Sequence, residues 1–131
     1  VFFIILKQYN QKQYPSIVVD DETLNKIVDN ARGTPRIARR LLRSYIYIKN
    51  IDKVFENNQI VKEGITQTDV KVLEYLSRYN GLGKNSIAKF LRIKPQTFEY
   101  EIEPYLIHKE FIEVSSRRKI TEKGKLFLKE I

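Results

Sequence analysis

The sequence predicts a mainly α-helical protein of two small domains, the second of which ends in a short β-hairpin and a closing helix. Three observations carry this expectation. Apolar residues recur at three- and four-residue spacing over most of the 131 residues, which is the helical period. The polar stretch from Glu56 to Gly64 interrupts that pattern and divides residues 1–62 from residues 63–131. Near the C-terminus two short alternating runs, Phe111 to Val114 and Lys119 to Thr121, flank the polar turn from Ser115 to Arg118, as paired strands do.

Val1 to Gln13 is read as a helix, although Phe2, Phe3, Ile4 and Ile5 suit a strand equally well. Pro15 stops it, and Ile17 to Val19 is extended. Asp20 or Asp21 caps the next helix, which turns Leu24, Ile27, Val28 and Ala31 inward and ends at Gly33 as its left-handed residue. Thr34 then stands as N-cap to Pro35 at the first position of a long amphipathic helix, with Ile37, Leu41, Tyr45 and Ile48 as its core stripe beside Ala38 and Leu42. A short helix follows through Ile51 to Phe55. In the second domain the first helix presents Val72, Leu73, Leu76 and Tyr79 to the core, and Asn80-Gly81 turns the chain into a helix containing Ile87, Ala88 and Leu91, closed by Pro95. Thr97 caps a third helix with Phe98, Ile102, Tyr105 and Leu106 inward. After the hairpin, a turn at Gly124 leads to a final helix burying Leu126, Phe127 and Ile131. Three helices, a hairpin and a helix make a winged-helix order, and Ser115 to Arg118 is the wing.

Composition narrows the chemistry. At 42% hydrophobic and 31% charged, the chain fits a globular protein, and its apolar run from Val1 to Leu6 is far short of the ~20 residues that a bilayer span needs. No cleavage site follows it, so membrane insertion and secretion are excluded and a cytoplasmic location is expected. With no cysteine and one histidine, His108, there is no basis for disulfides, a thiolate cluster, a zinc site or a His-dependent triad. The chain opens at Val1 without a methionine, which fits a piece or a processed product of something longer.

The formal charge of +8 favours an acidic polymer as partner, and it is spread evenly, with +4 on each side of Ile65. Two basic foci stand out: Arg32, Arg36, Arg39, Arg40 and Arg43 in the first domain, and Arg117, Arg118 and Lys119 in the wing. Each reads either as a solvated face or as a phosphate-binding surface. Arg36 lies in the first turn of its helix, where backbone N–H groups and the helix dipole already favour an anion, with Arg40 and Arg43 following on the same face. A nucleotide phosphate is the specific expectation there. The third helix of the second domain carries Glu99, Glu101 and Glu103 and is broken by Pro104, which argues against base readout in a groove. That leaves Arg117, Arg118 and Lys119, helped by Ser115 and Ser116, for sequence-independent contact with DNA phosphates.

Two segments carry a family resemblance. Ala31-Arg32-Gly33-Thr34-Pro35-Arg36-Ile37-Ala38-Arg39-Arg40-Leu41-Leu42-Arg43 closely resembles the sensor 2 segment of the RuvB family of Holliday-junction branch-migration motors. Glu103-Pro104-Tyr105-Leu106-Ile107, followed by Phe111-Ile112, is similar to the E-P-Y-L-I signature of that family's winged-helix domain, with Thr97 and Glu99 in register. The resemblance covers most of Asp20 to Thr121. It implies an AAA+ helical lid over residues 1–62 and a DNA-facing winged helix over residues 63–131, with the ATPase core lying upstream.

By the same resemblance Arg36, behind Pro35, takes the place of the sensor 2 arginine that contacts the ATP γ-phosphate. The partners implied are duplex or four-way-junction DNA, a RuvA-type junction-binding protein, and five further copies in a hexameric ring. The wing departs from the family's R-T-P-R-G-R, with Val114-Ser115-Ser116-Arg117-Arg118-Lys119 in its place, and Asn80-Gly81-Leu82-Gly83-Lys84 replaces its G-G-P-V-G turn. No phosphate-binding loop is present: Gly83-Lys84 would need glycine at Arg78 and Ser or Thr at Asn85, and no strand precedes it. These residues alone are not expected to hydrolyse ATP, and Mg-ATP would be held mainly by the core. A stand-alone winged-helix DNA-binding regulator and another AAA+ protein with a winged helix are the alternative readings.

Overall fold

The structure, a computed structural model, describes residues 2–131, so Val1 of the first expected helix lies outside the described residues. The chain divides into two units, Val1–Thr66 and Gln67–Ile131.

In the first unit the helices are α1 (Phe2–Gln13), α2 (Asp21–Asp29), α3 (Pro35–Ile48) and α4 (Ile51–Asn57). Buried Leu6, Val19, Leu24, Ile27, Ala31, Ala38, Leu41, Leu42, Ile46 and Val54 form one core. Asp20 caps α2 by accepting from the Thr23 amide at 3.4 Å. Two expectations are corrected. Helix α2 ends at Asp29, short of Gly33, and both Arg32 (φ 57°) and Gly33 (φ 69°) are left-handed in the turn that follows. The non-glycine Arg32 is held there by a 3.2 Å bond from its Nη1 to the Gly64 carbonyl. The core stripe of α3 includes Ile46, while Ile48 is 37% exposed because the helix ends there at left-handed Lys49.

The polar stretch after α4 is not a plain linker. It folds as an antiparallel hairpin, β1 (Ile60–Lys62) and β2 (Ile65–Thr66), turning at Glu63 (φ 51°) and Gly64 (φ 79°). Two successive positive φ angles are what a tight hairpin turn requires. The Gly64 amide donates to Asn30 Oδ1 at 2.9 Å, so Asn30 and Arg32 hold both polar atoms of its backbone.

The second unit runs α5 (Gln67–Ser77), α6 (Lys84–Leu91), α7 (Pro95–Thr97), a π-helical turn (Phe98–Ile102), α8 (Glu103–His108), β3 (Ile112–Val114), β4 (Arg118–Ile120) and α9 (Glu122–Glu130). Its buried residues include Val72, Leu73, Leu76, Ile87, Ala88, Phe98, Ile102, Leu106, Phe111 and Phe127. Tyr79 is instead 52% exposed, since α5 ends before it. Helix α6 ends at left-handed Arg92, and Pro95 opens the next helix at its first position rather than closing the last one. Thr97 accordingly sits inside the helical run and caps nothing.

The π turn explains how that run tolerates Pro104. Proline has no N–H to give to the carbonyl four residues back, and its ring crowds that carbonyl. The chain responds by widening one turn, so that the Glu103 amide bonds to the Phe98 carbonyl five residues back.

Gly124 also departs from expectation. It lies inside α9, whose N-cap Thr121 accepts from the Gly124 amide at 3.0 Å. A Cβ there would collide with the Phe111 carbonyl and come within 2.8 Å of Ile120, so only glycine lets α9 sit this close to the hairpin. Phe127 packs against Phe111 with ring centroids 4.6 Å apart, whereas Leu126 and Ile131 are exposed. Among the described residues no helix is long and apolar enough to cross a membrane.

Candidate functional site

The arginine helix is built from the turn before it. Thr34 takes the N-cap position of α3, but its hydroxyl donates to the Arg32 carbonyl at 3.3 Å instead of accepting from the helix. The first-turn amides of α3 therefore have neither a side-chain cap nor a helical carbonyl behind them. Pro35 and Arg36 are exposed at this end, and Arg40 and Arg43 are exposed further along. The other two arginines serve the fold: Arg32 bonds Gly64, and Arg39 lies over the Tyr9 ring of α1 at 4.9 Å from its centroid. Arg36 makes no ion pair with a described residue, which leaves its guanidinium available to an incoming anion.

In the wing the hairpin register pairs Ile112 with Ile120, Glu113 with Lys119 and Val114 with Arg118, and the turn closes with Ser115 N–H donating to the Arg117 carbonyl at 3.0 Å. Strand alternation sorts the three wing cations. Arg118 turns inward. Its Nε donates to Glu103 Oε2 at 2.6 Å and its Nη2 to Glu103 Oε1 at 3.3 Å, a two-pronged ion pair with side chains only 14% and 8% exposed. Its backbone also bonds Leu82 in both directions, at 2.7 and 3.0 Å, which ties β4 to the turn before α6.

Arg117 and Lys119 stay exposed, and they come together over Gly81. A Cβ at that glycine (φ 100°) would lie 3.4 Å from side-chain atoms of both, and Arg117 Nη1 reaches the Gly81 carbonyl at 3.4 Å. Two of the three expected wing cations are thus side by side on the surface, and the third braces the hairpin.

The acids of the third helix have a different role from the one their number suggests. Glu103 is spent on Arg118. Glu99 accepts from Lys84 Nζ at 2.6 Å. That hydrogen bond first, and the Lys84 charge second, hold the Glu99 carboxyl below the usual carboxylate range, with Arg118 adding a smaller pull. Neither carboxylate is an unbalanced charge facing outward. Glu113, exposed and opposite Lys119, is the acid beside the wing cations.

Sequence reasoning missed the inward role of Arg118. The signal was the strand itself, which places Arg118 and Ile120 on the face opposite Arg117 and Lys119, with Glu103 next to core residue Ile102 on the facing helix. Gly81 was read as a turn residue only, not as the floor beneath two cations.

A family model described as RuvB C-terminal winged helix domain matches residues 62–129, more than half of the chain. The chain belongs to the RuvB family. Over 133 aligned residues it is 41% identical to the Holliday junction branch migration complex subunit RuvB of Ureaplasma urealyticum, an alignment that takes in 96% of this chain and 42% of that protein. It is 33% identical to the RuvB subunit of Mycoplasma genitalium, over 84% of this chain and 38% of that protein. Among solved structures, the Thermotoga maritima RuvB Holliday junction branch migration motor superposes with a TM-score of 0.82 at 29% identity, covering 98% of this chain and 47% of that one. The chain therefore spans less than half the length of the RuvB proteins it matches. The mainly helical fold with a winged helix, expected from element order, is the fold of this family.

Proposed function

We propose that this chain acts as the C-terminal part of a RuvB-like ATP-dependent motor that drives Holliday junction branch migration in recombination and repair. Residues 1–62 serve as the AAA+ lid and residues 63–131 as the DNA-contacting winged helix. The observation that carries the DNA side is the placing of Arg117 and Lys119 together over Gly81 on a hairpin fixed from behind by Arg118 and Glu103. Two adjacent cations on a braced loop suit backbone phosphates, which have no sequence to read. Arg118 is assigned to the same function as the residue that positions the other two.

On the nucleotide side, Arg36 at the open N-terminus of α3, with Pro35 setting the start of that helix, fits one phosphate of ATP. The rest of Mg-ATP has no counterpart among these residues, which lack a phosphate-binding loop, and would be held by the motor's core domain. ATP supplies the driving free energy, and Arg36 orients the lid towards its terminal phosphate. The working form in this reading is a cytoplasmic homo-hexamer on four-way-junction or duplex DNA, assisted by a RuvA-type junction-binding protein.

The test is titration of the 131-residue chain against unrelated duplexes at several salt concentrations. Two phosphate contacts predict a slope of roughly −1.8 in log K against log salt and an affinity in the ~10⁻⁴ to 10⁻⁶ M range of non-specific binders. Arg117→Ala/Lys119→Ala should flatten that line. An unchanged slope in this variant would remove the wing from the mechanism, and strong preference for one duplex sequence would favour a regulator instead.

A further inference from the structure

The second unit carries a row of aromatic rings on its surface, built from residues other than those of the wing. Tyr75 of α5 meets Tyr79 edge-on with ring centroids 5.2 Å apart, and meets Phe90 of α6 edge-on at 4.0 Å. Tyr79 is 52% and Phe90 41% exposed, while Tyr75 is half-buried between them. Single exposed rings need no explanation, but here two are joined through a third.

The exposed charge around the row is mostly positive. Lys71 stands four residues before Tyr75, on its side of α5, while Arg78 is exposed in the turn just after α5, next to Tyr79 in sequence, and Lys89 and Arg92 are exposed on and just after α6. None of these four is ion-paired with a described residue, in contrast to Lys84, Arg118, Lys123 and Lys125 of the same unit. Against them α5 and α6 expose one carboxylate, Glu74.

Exposed rings among uncompensated cations match a ligand that has flat apolar faces on an anionic backbone. Nucleobases stack on any aromatic face, and the phosphates between them meet the cations. A duplex keeps its base faces inside its own stack, so the ligand of this surface is a single strand. We infer that Tyr79 and Phe90, backed by Tyr75 on elements that also expose Lys71, Arg78 and Lys89, form a stacking platform for the unpaired bases of a single-stranded nucleic acid. The inference rests on the aromatic row and the exposed cations of the same elements, and stands or falls separately from the wing.

The experiment compares binding of the chain to three labelled probes of equal length: an oligothymidylate, an abasic oligomer with the same phosphates, and a duplex. The wild-type chain should prefer the oligothymidylate to the abasic oligomer by about fivefold to a hundredfold, the range for stacking on one ring. Tyr79→Leu/Phe90→Leu should erase that preference and leave duplex affinity unchanged. Arg117→Ala/Lys119→Ala should do the reverse. Tyr79→Leu alone replaces a ring beyond the end of α5; it should keep the wild-type circular dichroism and lose part of the preference. Equal binding of thymidylate and abasic oligomers by the wild-type chain would overturn the inference, as would a preference that survives in the Leu variants.

Discussion

Removing either partner of the Arg118–Glu103 pair should cost the second unit much of its stability. The magnitude follows from burial and geometry. Both side chains are more than four-fifths buried, and two N–H···O bonds join them, so solvent screening is weak. Arg118→Ala would leave the Glu103 carboxylate enclosed without its cation, a loss of about 3–5 kcal/mol for a broken buried pair. A unit the size of Gln67–Ile131 has a total stability of about 3–10 kcal/mol, so the single variant should be marginal or unfolded. Replacing both partners by apolar residues, Arg118→Met with Glu103→Leu, leaves no orphaned charge and should restore stability to within about 1–2 kcal/mol of wild type.

Urea denaturation followed by backbone NMR signals of residues 67–131 separates this unit from the first. At a slope of about 1 kcal/mol per molar urea, Arg118→Ala should move the midpoint down by about 3 M or abolish the transition. A loss under about 1 kcal/mol is the value for an exposed surface pair, and would refute the reasoning. So would a double variant no more stable than the single one.

The remaining predictions concern the other charged positions. Arg36→Ala should change the stability of this chain by no more than about 0.5 kcal/mol, since the side chain is exposed, yet impair ATP-driven branch migration when placed in a full-length motor. Wild-type migration would reduce Arg36 to a solvated charge. The Glu99 carboxyl lies below its ordinary value when folded, chiefly through the Lys84 hydrogen bond, so its stabilisation is complete above the unfolded value near about 4.3 and is lost as pH falls through the lower folded value. Glu99→Gln should therefore flatten the acid limb of a stability-against-pH curve below about pH 4.3. An unchanged limb would mean that the Lys84 contact does not persist in solution.

Much of this fold could be read from local chemistry. Thr34-Pro35 marks the start of α3 because proline at a first helical position sacrifices nothing, and that placement brings Arg36 to the helix end. The wing was legible because its strands alternate and are joined by a short polar turn. The first hairpin was not. Its strands, Ile60–Lys62 and Ile65–Thr66, are too short to show a period, and its turn is held by Asn30 and Arg32, more than thirty residues earlier in sequence. Gly124 misled for a related reason. Glycine disfavours helix locally, and the close Phe111 backbone that requires it comes from another element. Pro104 announced a disturbance without its form, because a kink and a π turn relieve the same clash. At the site, the charges in Arg117-Arg118-Lys119 were evident, but dividing them into two that face outward and one that faces inward depends on Glu103, whose burial arises only on folding.

The grip on Gly64 turns the backbone of one residue into a reporter. Its N–H is held by the Asn30 side chain and its C=O by the Arg32 guanidinium, and both residues belong to the turn that leads into α3. The hairpin tip cannot rotate without releasing both bonds, and that turn cannot unwind without freeing the tip. Proton exchange at this single amide thus records, in a position some thirty residues away in sequence, whether the platform in front of Arg36 is in place. A spectroscopist following one resonance would be watching the arginine helix from behind.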